Sequence, residues 1–88
     1  MTDTNDLTDL PEIGAVTARE LIAVGIDQAA ILREVGAKAA FLRIRSQLDP
    51  GACIMLLTGL QAAVEGVRSA ELDPATKAEL RQWLKGLD

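Results

Sequence analysis

The chain is 88 residues long, with thirteen acidic and nine basic residues, one Cys, one Trp, one Phe, no Tyr and no His. That length makes one small domain, and its charged and apolar fractions are those of a folded protein rather than a disordered one. The composition excludes an internal disulfide, removes the commonest general base and zinc ligand, and leaves no aromatic platform for stacking nucleic-acid bases.

A net charge of −4 also argues against strong independent nucleic-acid binding, because affinity for a phosphate backbone comes from Lys and Arg displacing counterions. The charge is uneven. Residues 1–36 hold seven acids and two bases, whereas residues 37–48 hold Lys38, Arg43 and Arg45 and no acid.

Taken in order, residues 1–5 are expected to be a flexible tail and residues 6–88 a single helical domain. The acidic, polar start is the opposite of a signal peptide, and the apolar run at 52–57 is far too short to span a bilayer, so a cytoplasmic location is expected. A short first helix is expected over 6–10 and a second over 15–24, stopped by Gly25, with Leu21, Ile22 and Val24 apolar and Ile26 a buried residue after the cap. Asp27 is a suitable N-cap for a third helix reaching residue 35. The fourth, over 37–47, carries Ala37, Ala40, Phe41, Ile44 and Leu48 on its core side. Lys38 and Arg45, seven residues apart, are expected to project together on the other side with Leu42 close to them.

Asp49 and Pro50 suit the N-cap and first position of a fifth helix over 50–67. It is apolar nearly all round and reads as the buried pillar of the bundle, with Gly59, Ala62, Ala63 and Gly66 allowing close approach. Any face left uncovered there is a candidate dimer interface. Asp73 and Pro74 start the last helix, over 74–86, with Leu80, Trp83, Leu84 and Leu87 inward and Glu79, Arg81 and Lys85 outward. The fold class is all-α, five or six short helices.

Two stretches in this frame match each other. Leu10-Pro11-Glu12-Ile13-Gly14-Ala15 and Leu32-Arg33-Glu34-Val35-Gly36-Ala37 lie 22 residues apart and share Leu, Glu, a β-branched residue, Gly and Ala in register. This suggests a tandem pair of hairpin-like turns. Gly14 and Gly36 are expected to take positive φ and let a new helix start at once. Free backbone N–H groups at such a start accept a phosphate or carboxylate. The same glycines also serve simply as caps between packed helices.

Leu10-Pro11-Glu12-Ile13-Gly14 followed by Thr17-Ala18 resembles a helix-hairpin-helix motif of the form L-P-G-I-G-P-K-T-A. From about residue 7 to 84 the chain resembles the C-terminal domain of TfoX (Sxy) competence regulators. That resemblance is carried by Leu10, Ile13-Gly14, Leu21, Gly25-Ile26, Leu32, Gly36-Ala37, Leu56-Leu57, Leu60, Ala63, Gly66 and Leu72. The resemblance implies a regulatory binding domain, which in that family sits in longer proteins behind another domain. Four residues depart from these patterns. Glu12 replaces the hairpin's first glycine, Val16 replaces its lysine, and Glu34 repeats the acid in the second turn, where Lys38 keeps the lysine place. Ser69 stands where the resemblance implies a Trp.

Catalysis has little support. Ser46, Ser69 and Cys53 have no His to activate them, and Cys53 in its apolar run reads as a small buried residue. Bifunctional glycosylases use the hairpin lysine with a downstream Asp, and residues 52–67 contain no Asp. No enzyme, cofactor or metal is therefore expected. Two binding readings stand. The favoured one is a protein-interaction or dimerisation module, supported by Glu12, Val16, Glu34 and the acidic charge, with Leu42 a candidate interface residue. The other is a sequence-independent DNA-contacting module holding phosphate through Gly36, Lys38 and Arg45.

Overall fold

The computed structural model describes residues 6–87. Five helices, α1 (Ala15–Ala23), α2 (Ala29–Val35), α3 (Ala37–Gln47), α4 (Ile54–Glu65) and α5 (Pro74–Lys85), follow one another with 3₁₀ turns at Leu7–Asp9 and Ser69–Glu71. No strand occurs among the described residues, and none of their helices is long and apolar enough to cross a membrane. The expected tail at 1–5 lies outside the described residues.

Apolar burial assembles the bundle. Leu21, Ile26, Leu32, Phe41, Ile44, Leu57, Leu60 and Leu80 have almost no exposure, and no polar or charged side chain is buried among the described residues. The inner face of α3 (Ala37, Ala40, Phe41, Ile44) lies against α4, whose Leu57, Leu60, Ala62 and Ala63 are buried. Trp83 of α5 closes the bundle edge-on to Phe41, ring centres 6.1 Å apart and planes at 70°, the tilted geometry that aromatic quadrupoles favour.

The helix ends follow local chemistry. At the end of α1, Gly25 has φ +87°. Its N–H donates to Ile22 O and that of Ile26 to Leu21 O, at 3.0 and 2.8 Å, which is the Schellman closure expected there. Ile26 is fully buried beyond it. Asp73 caps α5 by accepting from Ala75 N at 3.1 Å, with Pro74 at the first helical position.

Other expectations need correction. α2 starts at Ala29 with Gln28, not Asp27, as its N-cap; Ile26 and Ala29 are both buried, and the link between them runs extended through Gln28. α4 starts at Ile54 rather than Pro50. The Asp49 carboxylate instead accepts from Gly51 N at 3.0 Å, and Ala52 N donates to Asp49 O, closing a turn before the helix. That turn makes Cys53 the N-cap of α4 and leaves it exposed, not buried. α4 is also only partly enclosed, with Met55 78% exposed. It ends at Glu65 because Gly66 takes a left-handed φ of +78°, so Gly66 acts through its conformation rather than by close packing. Leu48 and Leu87 lie where α3 and α5 have already ended, and both turn outward; Ile22 is exposed as well.

The two matched turns differ in backbone. Gly36 has φ +89° and ψ 159°, a region that is essentially reserved for glycine. Its N–H donates to Leu32 O and its carbonyl accepts from Ala40 N, so one residue ends α2 and begins α3. Gly14 does not take the expected positive φ; it is extended at φ −90°, ψ −177°. Glu12 takes positive φ instead, at +67°. Seating Leu10 and Ile13 in the core on either side of the exposed Glu12 sets that backbone, and Ile13 N donates back to Leu10 O at 3.3 Å.

Two substitutions test these conformations with opposite signs. Gly36→Val is expected to lower stability by about 1–3 kcal/mol, about 4–8 °C in Tm for each kcal/mol; an unchanged Tm contradicts the glycine-only conformation. Glu12→Gly is expected to raise stability by about 0.5–1 kcal/mol, since it relieves left-handed strain at a modest entropic cost. A fall in Tm would show that the Glu12 side-chain contacts outweigh the strain.

Candidate functional site

The start of α3 is the natural place to look for a bound anion. Gly36 presents a fresh helix N-terminus, and Lys38 follows two residues later. The turn opens on a hollow of about 560 Å³ between α2, α3, α4 and α5. Two carboxylates, Glu65 from α4 and Glu79 from α5, line it together with Lys38.

Lys38 already has partners on the bundle surface. Its Nζ lies 3.0 Å from Glu79 Oε1 and 5.7 Å from the centre of the Trp83 ring. An ammonium over an indole face is attracted by the ring's quadrupole, and the carboxylate adds a charge-assisted hydrogen bond. Lys38 thus ties α3 to α5. The carboxylates around it oppose a second anion, while Gln61 Nε2 donates to Glu65 Oε2 at 2.7 Å.

Arg45 lines a different hollow from Lys38, together with Leu42, Ser46, Pro50 and Leu87. Leu42 is exposed, as expected, and Leu87 is exposed beside that same hollow. Glu34 is on the surface of α2 and lines neither hollow.

At the first turn Val16 takes the lysine place, and the cation that reaches the helix start is Arg19, whose Nε donates to Ala15 O at 3.3 Å. Val16 is 65% exposed and Gly14 has no side-chain cap. The Glu12 carboxylate accepts from Ser69 Oγ at 2.9 Å, and the Glu12 Cβ lies over Gly59 of α4. Glu12 and Ser69, two of the departures from the hairpin and TfoX patterns, therefore contact each other. Sequence reasoning did not find Glu79 and Trp83 as partners of Lys38, nor Ser69 as the partner of Glu12. Opposite charge on α3 and α5 was the only signal for the first set, and 41 residues separate Lys38 from Glu79. Among the described residues, no group of three or more His, Cys, Asp or Glu is placed to hold a metal ion.

Comparison with known proteins gives this fold a family. The sequence matches the TfoX C-terminal domain over residues 3–84. Protein Sxy of Escherichia coli (strain K12) is 35% identical over 81 residues, covering 92% of this chain and 38% of that protein. DNA transformation protein TfoX of Haemophilus influenzae is 36% identical over 80 residues, covering 91% of this chain and 36% of that protein. The chain thus spans little more than a third of the length of these curated relatives. Two crystal structures from Listeria monocytogenes share the fold, each with TM-score 0.90 and 41% identity. The triclinic one, of an uncharacterized protein, aligns over 93% of this chain and 92% of its own. The tetragonal one, of a protein of unknown function, aligns over 94% and 100%. With the match running over nearly the whole of this chain, the chain belongs to the TfoX C-terminal domain family.

Proposed function

We propose that this chain is a non-enzymatic, cytoplasmic binding module that engages a protein partner, or a second copy of itself, in a regulatory setting related to competence and transcription. The setting is supported by family membership and by the name of the Haemophilus relative, which connects that protein with DNA transformation. The choice of a protein over a nucleic-acid partner is carried by one observation. Lys38, the residue that keeps the hairpin's lysine place, pairs at the surface with Glu79 and lies over the Trp83 ring, beside a hollow that Glu65 and Glu79 line. A phosphate arriving there would have to displace Glu79 and approach Glu65.

Other features agree. Glu12 and Glu34 put acids in both turns, and the net charge is −4. Val16, Ile22, Leu42, Leu48, Met55 and Leu87 leave apolar side chains at the surface, the material of protein interfaces. The helix start at Gly36 is the feature that favours a DNA-contacting module instead.

Fluorescence anisotropy of a short labelled duplex, at low and moderate salt, separates the two. The expected result at moderate salt is no saturable binding up to ~100 μM protein, the weak end of ordinary non-specific DNA affinity, for wild type and Lys38→Ala alike. Salt-sensitive binding that Lys38→Ala weakens overturns the proposal in favour of a phosphate site at the second turn.

A further inference from the structure

We infer that a trough between the start of α4 and the outer face of α5 is the docking surface, and that its occupant is an acidic, amphipathic helical segment of a partner protein. This inference rests on the protein-interaction reading and names its surface and chemistry. Two neighbouring hollows, of about 550 and 340 Å³, both lined by Ile54 and Arg81, make up this trough. Its apolar lining comes from Ile54 and Met55 of α4 and from Ala78 and Leu84 of α5. Met55 is the most exposed large apolar side chain among the described residues.

The charges around this lining are one-sided. Lys77, Arg81 and Lys85 recur every fourth residue of α5, which puts them on one face over about 12 Å. They make up three of the nine basic residues in a chain of net charge −4. None of the three forms an ion pair or side-chain hydrogen bond among the described residues. Lys85 suits the C-terminal end of its helix, but Lys77 sits near the N-terminal end, where the macrodipole gives a cation no benefit. The one acid lining the trough, Glu12, lies in its smaller hollow, where its carboxylate accepts from Ser69 Oγ. An apolar strip bordered by unpaired cations complements a helix with leucine-like residues on one side and carboxylates beside them. A nucleic acid would use the cations and leave the apolar lining uncovered.

The test titrates the full chain against a labelled helical peptide of about five turns, with leucine at helical spacing and glutamate elsewhere. Its twin carries lysine in place of glutamate. The acidic peptide is expected to bind about tenfold or more tightly than its twin, because like charges across an interface oppose docking. Arg81→Glu is expected to weaken it about five- to tenfold, and Met55→Asp to weaken it as well, with the Tm of both exposed-site variants unchanged. Equal affinity for the two peptides, or no binding of the acidic one, overturns the inference. Acidic-peptide binding that both variants leave intact places the contact elsewhere; the trough is then wrong while the protein-interaction reading survives. Self-association in sedimentation velocity that Arg81→Glu abolishes makes a second copy the occupant, with the same consequence. Salt-sensitive duplex binding that Arg81→Glu abolishes overturns the trough assignment and the protein-interaction reading together.

Discussion

The structure depends on the apolar seam between α3 and α4. With one Phe and one Trp in the chain, the core is aliphatic, and burial of Phe41, Ile44, Leu57 and Leu60 is the main force holding two helices of modest length together. Every other element is placed by reference to that seam. α2 reaches it through the single residue Gly36, α1 through the buried Ile26, and α5 through Leu80 and the edge of Trp83 on Phe41. No buried polar side chain competes with this packing among the described residues. Polar groups are therefore left to helix ends and to the surface, where they select turns and contacts more than they supply stability.

Lys38 holds the lysine place of the resembled motif and contacts α5 through the Glu79 carboxylate and the face of Trp83. In the first turn Glu12, at the place of the motif's first glycine, takes positive φ, and its carboxylate accepts from Ser69 Oγ. The two turns differ in backbone, but in both a side chain connects elements of the bundle to each other.

Much of the fold was legible from local signals. Gly25-Ile26, Asp73-Pro74 and the spacing of Ala37, Ala40, Phe41 and Ile44 each act within a turn or two of helix, so the residues alone specify the outcome. The failures share one cause, which is competition decided by distant or alternative partners. Asp49 looked like a helix cap because Asp-Pro is a good start signal, but its carboxylate found the N–H of Gly51 first. Which residue of the first turn takes positive φ depends on how Leu10 and Ile13 seat in the core, which spacing does not reveal. The contacts of Lys38 were not legible, because Glu79 and Trp83 belong to another helix far along the chain.

The central claim is that Lys38 is a structural cation joining α3 to α5. Trp83 is the only tryptophan, so its emission reports that contact directly. The decisive measurement is a thermal melt of Lys38→Met, followed by Trp83 fluorescence. The account predicts a shift in the native-state emission of Trp83 and a loss of about 0.5–2 kcal/mol, the sum of a partly exposed cation–π contact and one surface ion pair. An unchanged Tm with unchanged emission would mean that Lys38 stands clear of α5. Its ammonium would then be free for an external anion, and the structural reading of the second turn would be wrong.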